Sequence, residues 1–208
     1  MRRSVLAALL LLLVPASAAG AAENDPQAQA LDTQMGKAFF AMDRVGVRAS
    51  WSWSDRGDWL IDGTYDLNAP SFSGFAKLGH GRLRLFATPK QRLMRRTGQT
   101  CWSPFKEFTF GQLASLLITE ADPETWIDKT TLGPVVFSST APNVVHWSLG
   151  GTTPVETDEH YDPATMLPSR VDVVQRLPKG ATLTASNQYR YSGLASAKPK
   201  SLKRCRKR

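Results

Sequence analysis

Three histidines, two cysteines and a short run of carboxylates are the residues of this 208-residue chain whose types lend themselves to chemistry. His80, His146 and His160 are ligand types, but none has a second ligand at the spacing a metal site uses. His160 alone has acidic company, beside Glu159 and near Asp158, and it reads as a surface or hairpin histidine. Ser103-Pro104-Phe105-Lys106 has the form of the S-x-x-K nucleophile motif, and Lys129-Thr130-Thr131 distantly echoes K-T-G. That chemistry needs the first motif on a helix, an S-D-N between the two, and a much larger fold. Pro104 opposes the helix and no S-D-N occurs. Gly79-His80-Gly81 lacks the strand-loop-helix setting of a phosphate cradle. On a strand, Glu156 and Asp158 share a face and Glu159 takes the other. Nothing nearby separates their pKa values as an acid and a base require, so the run reads as a solvated strand face. The sequence therefore predicts no catalytic set, no metal site and no cofactor.

Burial, not reactivity, is the louder signal. Val47 to Leu67, VRASWSWSDRGDWLIDGTYDL, holds Trp51, Trp53 and Trp59, three of six tryptophans. On a strand, Trp51 and Trp53 point to one face. That face must be covered by a helix of the same chain, a partner or an apolar ligand. Aromatics at alternate strand positions are more often plain core than ligand contacts, and burial stabilises them either way, at about 25 cal/mol per Å² of apolar area.

The first 22 residues have Arg2 and Arg3, an apolar run from Val5 to Val14 and small residues after it, with Ala16-Ser17-Ala18 as a cleavage site and Gly20-Ala21-Ala22 as a second. That is the pattern of a secretory signal peptide, and the run is short for a span of ~20 residues. The net charge of +8 is concentrated at the ends: residues 23–195 carry 17 basic against 18 acidic side chains. The tail from residue 194 on is basic, with Lys198, Lys200 and Arg206 among its seven cations. It reads as a flexible solubilising end, or as a contact for an anionic membrane surface or envelope protein. Export argues against nucleic acid. Two cysteines in an exported chain suggest a disulfide, Cys101 to Cys205, which would staple the tail to the body. Such a closure is worth up to ~4–5 kcal/mol. Free thiols or an intermolecular bond through Cys205 are the alternatives.

Elements must now position these residues. Asp25 to Met42 predicts a helix that starts at Asp25-Pro26 and carries Ala30, Leu31, Met35, Ala38, Phe39 and Met42 on one stripe. From Val45 the period becomes two. Strands are predicted over Val45–Ser54, Trp59–Leu67, Phe72–Leu78, Arg82–Ala87, Arg92–Thr97 and Gln99–Trp102. A second helix is predicted over Phe108–Ile118, with Leu113, Leu116 and Leu117 apolar. Further strands are predicted over Thr125–Thr130, Val135–Ser139, Val144–Leu149, Val155–Tyr161, Arg170–Arg176 and Thr182–Tyr191. The class is α+β: one large antiparallel sheet in meander order, strongly curved because so wide a sheet must twist, with helices on its concave face.

Signal peptide, amphipathic helix, meander, inserted helix and second meander together resemble the LolA/LolB and LppX/LprG superfamily over residues 25–193. WLIDGTYDLNAPSFSGFAKL resembles its early hairpin. HYDPATMLPSRVDVVQ resembles a late hairpin in which an aspartate and a Leu-Pro turn join two strands. The resemblance implies an unclosed barrel over residues 23–193, with helices as a lid and an apolar cavity for acyl chains of a lipoprotein or lipid. It also implies a periplasmic or secreted carrier, or an envelope sensor of the same fold. No lipobox cysteine is present, so the soluble carriers are the nearer match. Expected ligand contacts are Phe39, Trp51, Trp53, Trp59, Ile61, Leu83, Leu85 and Trp147, with Leu113 and Leu117 on the lid.

Overall fold

The computed structural model describes residues 24–54, 57–78, 81–117, 132–151, 153–194, 199 and 202–205. The expected signal peptide, the turn at Gly79 and His80, the strand expected over Thr125–Thr130 and most of the basic tail lie outside them.

The chain enters through α1, Pro26–Phe40, where Asp25 caps the first turn by accepting from the Gln27 amide at 2.9 Å and Pro26 opens the helix. Period-two sequence then lays down β1 (Arg44–Trp53), β2 (Gly57–Asp66), β3 (Ser71–Leu78), β4 (Gly81–Thr88), β5 (Gln91–Arg96) and β6 (Ser103–Pro104). After α2, Phe110–Leu117, come β7 (Leu132–Ala141), β8 (Val144–Gly151), β9 (Val155–Tyr161), β10 (Pro168–Arg176) and β11 (Thr182–Arg190). All eleven strands form one antiparallel sheet in the order β6-β5-β4-β3-β2-β1-β11-β10-β9-β8-β7. It is two meanders joined along β1 and β11, with Val47 opposite Tyr189 and Trp51 opposite Ala185. β6 and β7 stand at opposite edges, so the sheet is not closed into a barrel.

Most buried apolar residues of the strands face one side, and Phe86 and Leu93 are buried on the other. Leu85 on β4 and Val171 on β10 belong to one continuous buried cluster although four strands separate them. Where β2 meets β3, Gly63 and Gly74 are directly opposite. A Cβ on Gly63 would stand 2.5 Å from the Ser73 carbonyl oxygen and 2.6 Å from the Phe72 ring, so only glycine permits this approach.

Three sequence expectations need correction. Gln99–Trp102 is not a strand: Trp102 makes a single parallel bridge to Arg204, and the edge strand is Ser103–Pro104. Proline is tolerated there because an edge strand needs no donor on its open side. The second helix starts at Phe110, not Phe108, because Thr109 and Gln112 form a capping box. The Gln112 amide donates to Thr109 Oγ1 at 3.1 Å, and the Thr109 amide donates to Gln112 Oε1 at 2.9 Å. The inward stripe of α1 is also phased differently. Ala28, Met35 and Phe39 are buried, Ala30 is exposed, and Asp32 falls on the inward side.

Candidate functional site

The concave face is built from alternate residues of the central strands. Val45, Val47, Ala49 and Trp51 of β1, Ile61 and Tyr65 of β2, and Leu85 and Ala87 of β4 are all buried in one cluster. α2 lies on it. Leu113 and Leu117, one helical turn apart, are 2% and 0% exposed and insert into that cluster. Phe110 stacks on Tyr65 with ring centres 6.0 Å apart. Of the residues expected to meet a ligand, Phe39, Trp51, Ile61, Leu85, Leu113 and Leu117 are thus brought together in the main core, Phe39 from α1 and the two leucines from α2.

Trp53, Trp59 and Leu83 sit at the rim of the same face, partly buried against the core. Trp59 pairs with Trp51 across β1 and β2 and packs edge-on against Trp53 at 4.8 Å. The ring contacts continue through Phe108, 5.3 Å from Trp59, to Phe105, 5.9 Å further on. Beside this row lies a cleft of about 520 Å³, walled by Trp59, Leu83, Met94 and Phe105, with Arg96, Thr97 and Glu107 also lining it. Phe105, Phe108 and Met94 were not among the expected residues. The signal that finds them is the register: Met94 stands directly opposite Leu85.

Trp147 is elsewhere. It belongs to a second cluster with Phe137, Val145, Leu149 and Val155 of β7, β8 and β9, covered by Ala28 and Met35 of α1. Its indole Nε1 donates to Glu159 Oε1 at 2.8 Å. Glu156 and Asp158 lie on the solvated face, as expected, whereas Glu159 on the opposite face is only 2% exposed and points into the core. Burial, and then the neighbouring Asp32, push the Glu159 carboxyl up to about 8. Burial also raises Asp32. Both shifts favour a neutral carboxyl in this pair, and the buried Glu159 Oε2 meets no hydrogen-bond donor. Sequence reasoning passed over Asp32 because an aspartate on an amphipathic helix is normally placed in water.

The other reactive types lie away from both clusters. His146 Nδ1 is 2.8 Å from Asp158 Oδ1 on the outer face. Arg170 donates to His160 Nε2 at 2.9 Å, and Asp172 is 3.4 Å from the same nitrogen. Ser103 lies on β6, not on a helix, and its hydroxyl is 3.5 Å from Cys205 Sγ. Among the described residues no group of three or more His, Cys, Asp or Glu is placed to hold a metal ion. No helix among them is long and apolar enough to cross a membrane.

Cys101 and Cys205 are joined, 104 positions apart. The bond fixes Leu202–Cys205 on the convex face, where Leu202 covers Phe86, Leu93 and Trp102. The Trp102 amide donates to the Lys203 carbonyl at 2.8 Å, and the Cys205 amide to the Trp102 carbonyl at 3.0 Å.

No protein-family model and no curated protein matches the sequence. Among solved structures the chain is similar to LprF from Mycobacterium bovis, at 11% identity and a TM-score of 0.48, over 85% of this chain and 98% of that one. It is also similar to a LolA superfamily protein from Nitrosomonas europaea, at 10% identity and a TM-score of 0.32, over 81% and 94% of the two chains.

Proposed function

We propose that the chain is an exported, non-enzymatic carrier that takes an acyl chain of a lipid or lipoprotein onto its concave face when α2 moves aside. The observation that carries this reading is the continuity of apolar surface from the rim cleft to the core beneath α2. Trp59, Leu83, Met94 and Phe105 wall the cleft, and the same face continues inward to Leu85, Ile61 and Trp51 under Leu113 and Leu117. A volume of about 520 Å³ falls within the range of small-molecule pockets. An acyl chain entering at the rim would replace the apolar surface of α2 with its own. The ligand contacts on this reading are Trp53, Trp59 and Leu83 at the rim and Trp51, Ile61 and Leu85 beneath the helix.

The test is an organic extract of the purified protein, read by mass spectrometry, together with tryptophan fluorescence on addition of a long-chain fatty acid. Co-purified acyl lipid and a saturable fluorescence change are expected. Leu83→Trp, which fills the cleft, should weaken fatty-acid uptake at least tenfold while leaving the melting temperature within a few degrees. An empty extract with flat fluorescence overturns the carrier. If the same preparation captures one envelope protein, the alternative reading of a sensor takes its place.

A further inference from the structure

Between Leu67 and Lys106 the chain has eight Lys and Arg and not one Asp or Glu. The near-neutral average of the body hides this segregation. β3, β4 and β5 come from that stretch, and their outward side chains line up in register. Lys77 stands directly opposite Arg82, and Arg84 directly opposite Arg95. Like charges at directly opposed positions destabilise a sheet. Elsewhere on the sheet the fold pairs its charges: Arg190 with Asp62 at 2.7 Å, Arg170 with Asp172 at 2.8 Å, Arg44 with Asp66 at 3.2 Å. Among the described residues, Lys77, Arg82, Arg84 and Arg95 have no acidic partner within 4.0 Å.

Two features add to the concentration. Phe75, a large apolar side chain 38% exposed, stands in the middle of the patch with the Arg82 and Arg84 guanidinium groups 4.7 and 5.1 Å from its ring centre. The disulfide then brings two more cations, Lys203 and Arg204, onto the neighbouring part of the same face, where Arg95 stacks over Trp102 at 5.2 Å. A covalent bond holds basic tail against basic sheet.

We propose that this convex face of β3, β4 and β5, with the stapled tail beside it, docks on the surface of an anionic phospholipid bilayer. Uncompensated guanidinium and ammonium groups match phosphate-rich head groups, and each cation near such a surface adds about 1 kcal/mol of attraction. An exposed phenyl ring among cations fits the interface between head groups and acyl chains, where aromatic side chains gather. A disulfide places the protein in an oxidising compartment, where lipid surfaces rather than nucleic acids are the abundant polyanions. This inference does not depend on the carrier reading: the face is the opposite one from the concave core.

The experiment is co-sedimentation of the disulfide-intact protein with two kinds of vesicle: phosphatidylcholine alone, and phosphatidylcholine mixed with an equal part of phosphatidylglycerol. Binding is expected only to the anionic vesicles and should fade as salt is raised, because exposed charges are screened. The triple variant Lys77→Gln, Arg82→Gln, Arg84→Gln removes mutually repelling exposed charges and should lose roughly a hundredfold in vesicle affinity, about fivefold per cation. Arg176→Gln with Lys179→Gln, on the other half of the sheet, should change it less than twofold. Equal binding to neutral vesicles, salt-insensitive binding, or a triple variant that binds like the parent overturns the proposal. So does a duplex oligonucleotide bound more tightly than the anionic vesicles at the same salt. The salt titration of the unmodified protein tests the point without any variant.

Discussion

α1 and α2 cover the same side of one sheet, yet they are attached in different ways. α1 is tied by directional bonds. The Asp25 amide donates to the Phe137 carbonyl at 2.9 Å, and the Phe137 amide donates to Asn24 Oδ1 at 2.9 Å, so the start of the helix is stitched to β7. Asp32 neighbours the buried Glu159, which holds Trp147. Phe39 closes the other end, edge-on to Tyr189 at 5.6 Å and Tyr191 at 6.4 Å. α2 keeps its polar bonds to itself, in its own capping box, and touches the sheet through Leu113, Leu117 and Phe110. Among the described residues no hydrogen bond joins α2 to the sheet. Buried polar bonds are costly to break because a partner is left unsatisfied. Apolar contact is non-directional and scales with area, so another apolar body can replace it at little net cost. The contrast assigns α1 to the frame and α2 to the cover.

The largest effect should come from the frame. Phe39→Ala should cost about 3–5 kcal/mol, in the range for a buried phenylalanine. It should appear in urea unfolding as a loss shared by the whole sheet, and a cost below about 1 kcal/mol would break the comparison. Leu113→Ala should cost less, about 2 kcal/mol, at the low end for a buried leucine. Its signature is local: amides of α2 should exchange faster with solvent while those of α1 and β8 keep their protection. Uniform acceleration would show that α2 is no separable unit.

The smallest effect sharpens the polar half. Glu159 titrates near 8 in the fold and near 4.5 without it. Its folded pKa is raised, so its contribution is fully present below about 4.5 and is lost as pH rises through about 8. Glu159→Gln keeps an acceptor for Trp147 and gives Asp32 a donor without an ionisable proton. At pH 9 the variant should exceed the parent in stability, with the advantage vanishing by pH 4. A parent whose melting temperature is flat between pH 5 and 9 would remove the raised Glu159 carboxyl from the account.

Much of this was legible in period and turn chemistry. β9 was read over Val155–Tyr161, the span it occupies, because each alternate residue there is forced to a known side. The turn after it, where Asp162 Oδ1 accepts from the Ala164 amide at 2.9 Å, carries its own local signal. The Asp25 cap of α1 was likewise visible in a short stretch, while the disulfide was suggested by the even cysteine count alone. What failed to show depended on contacts between distant segments. Nothing local to Val47 says that its second neighbour is Tyr189. Asp32 looks solvated until β9 arrives with Glu159 from the other meander. Arg84 and Arg95 look like ordinary outward charges until the register sets them opposite one another, with no acid within 4.0 Å among the described residues. For the rim, sequence alternation placed Trp53, Trp59 and Leu83 on the inner face, but the walls contributed by Phe105 and Met94 follow only from how β5 and the chain after it fold back.

The seam between β1 and β11 has a consequence for how the molecule is made. Ser50 and the Ser186 carbonyl it bonds are 136 positions apart, so the middle of the sheet is assembled from the two ends of the chain. A ribosome must release nearly the whole polypeptide before that contact can exist, and pairings so remote in sequence form slowly. Until that late closure the two meanders lack their shared seam, and the middle of the sheet stays open.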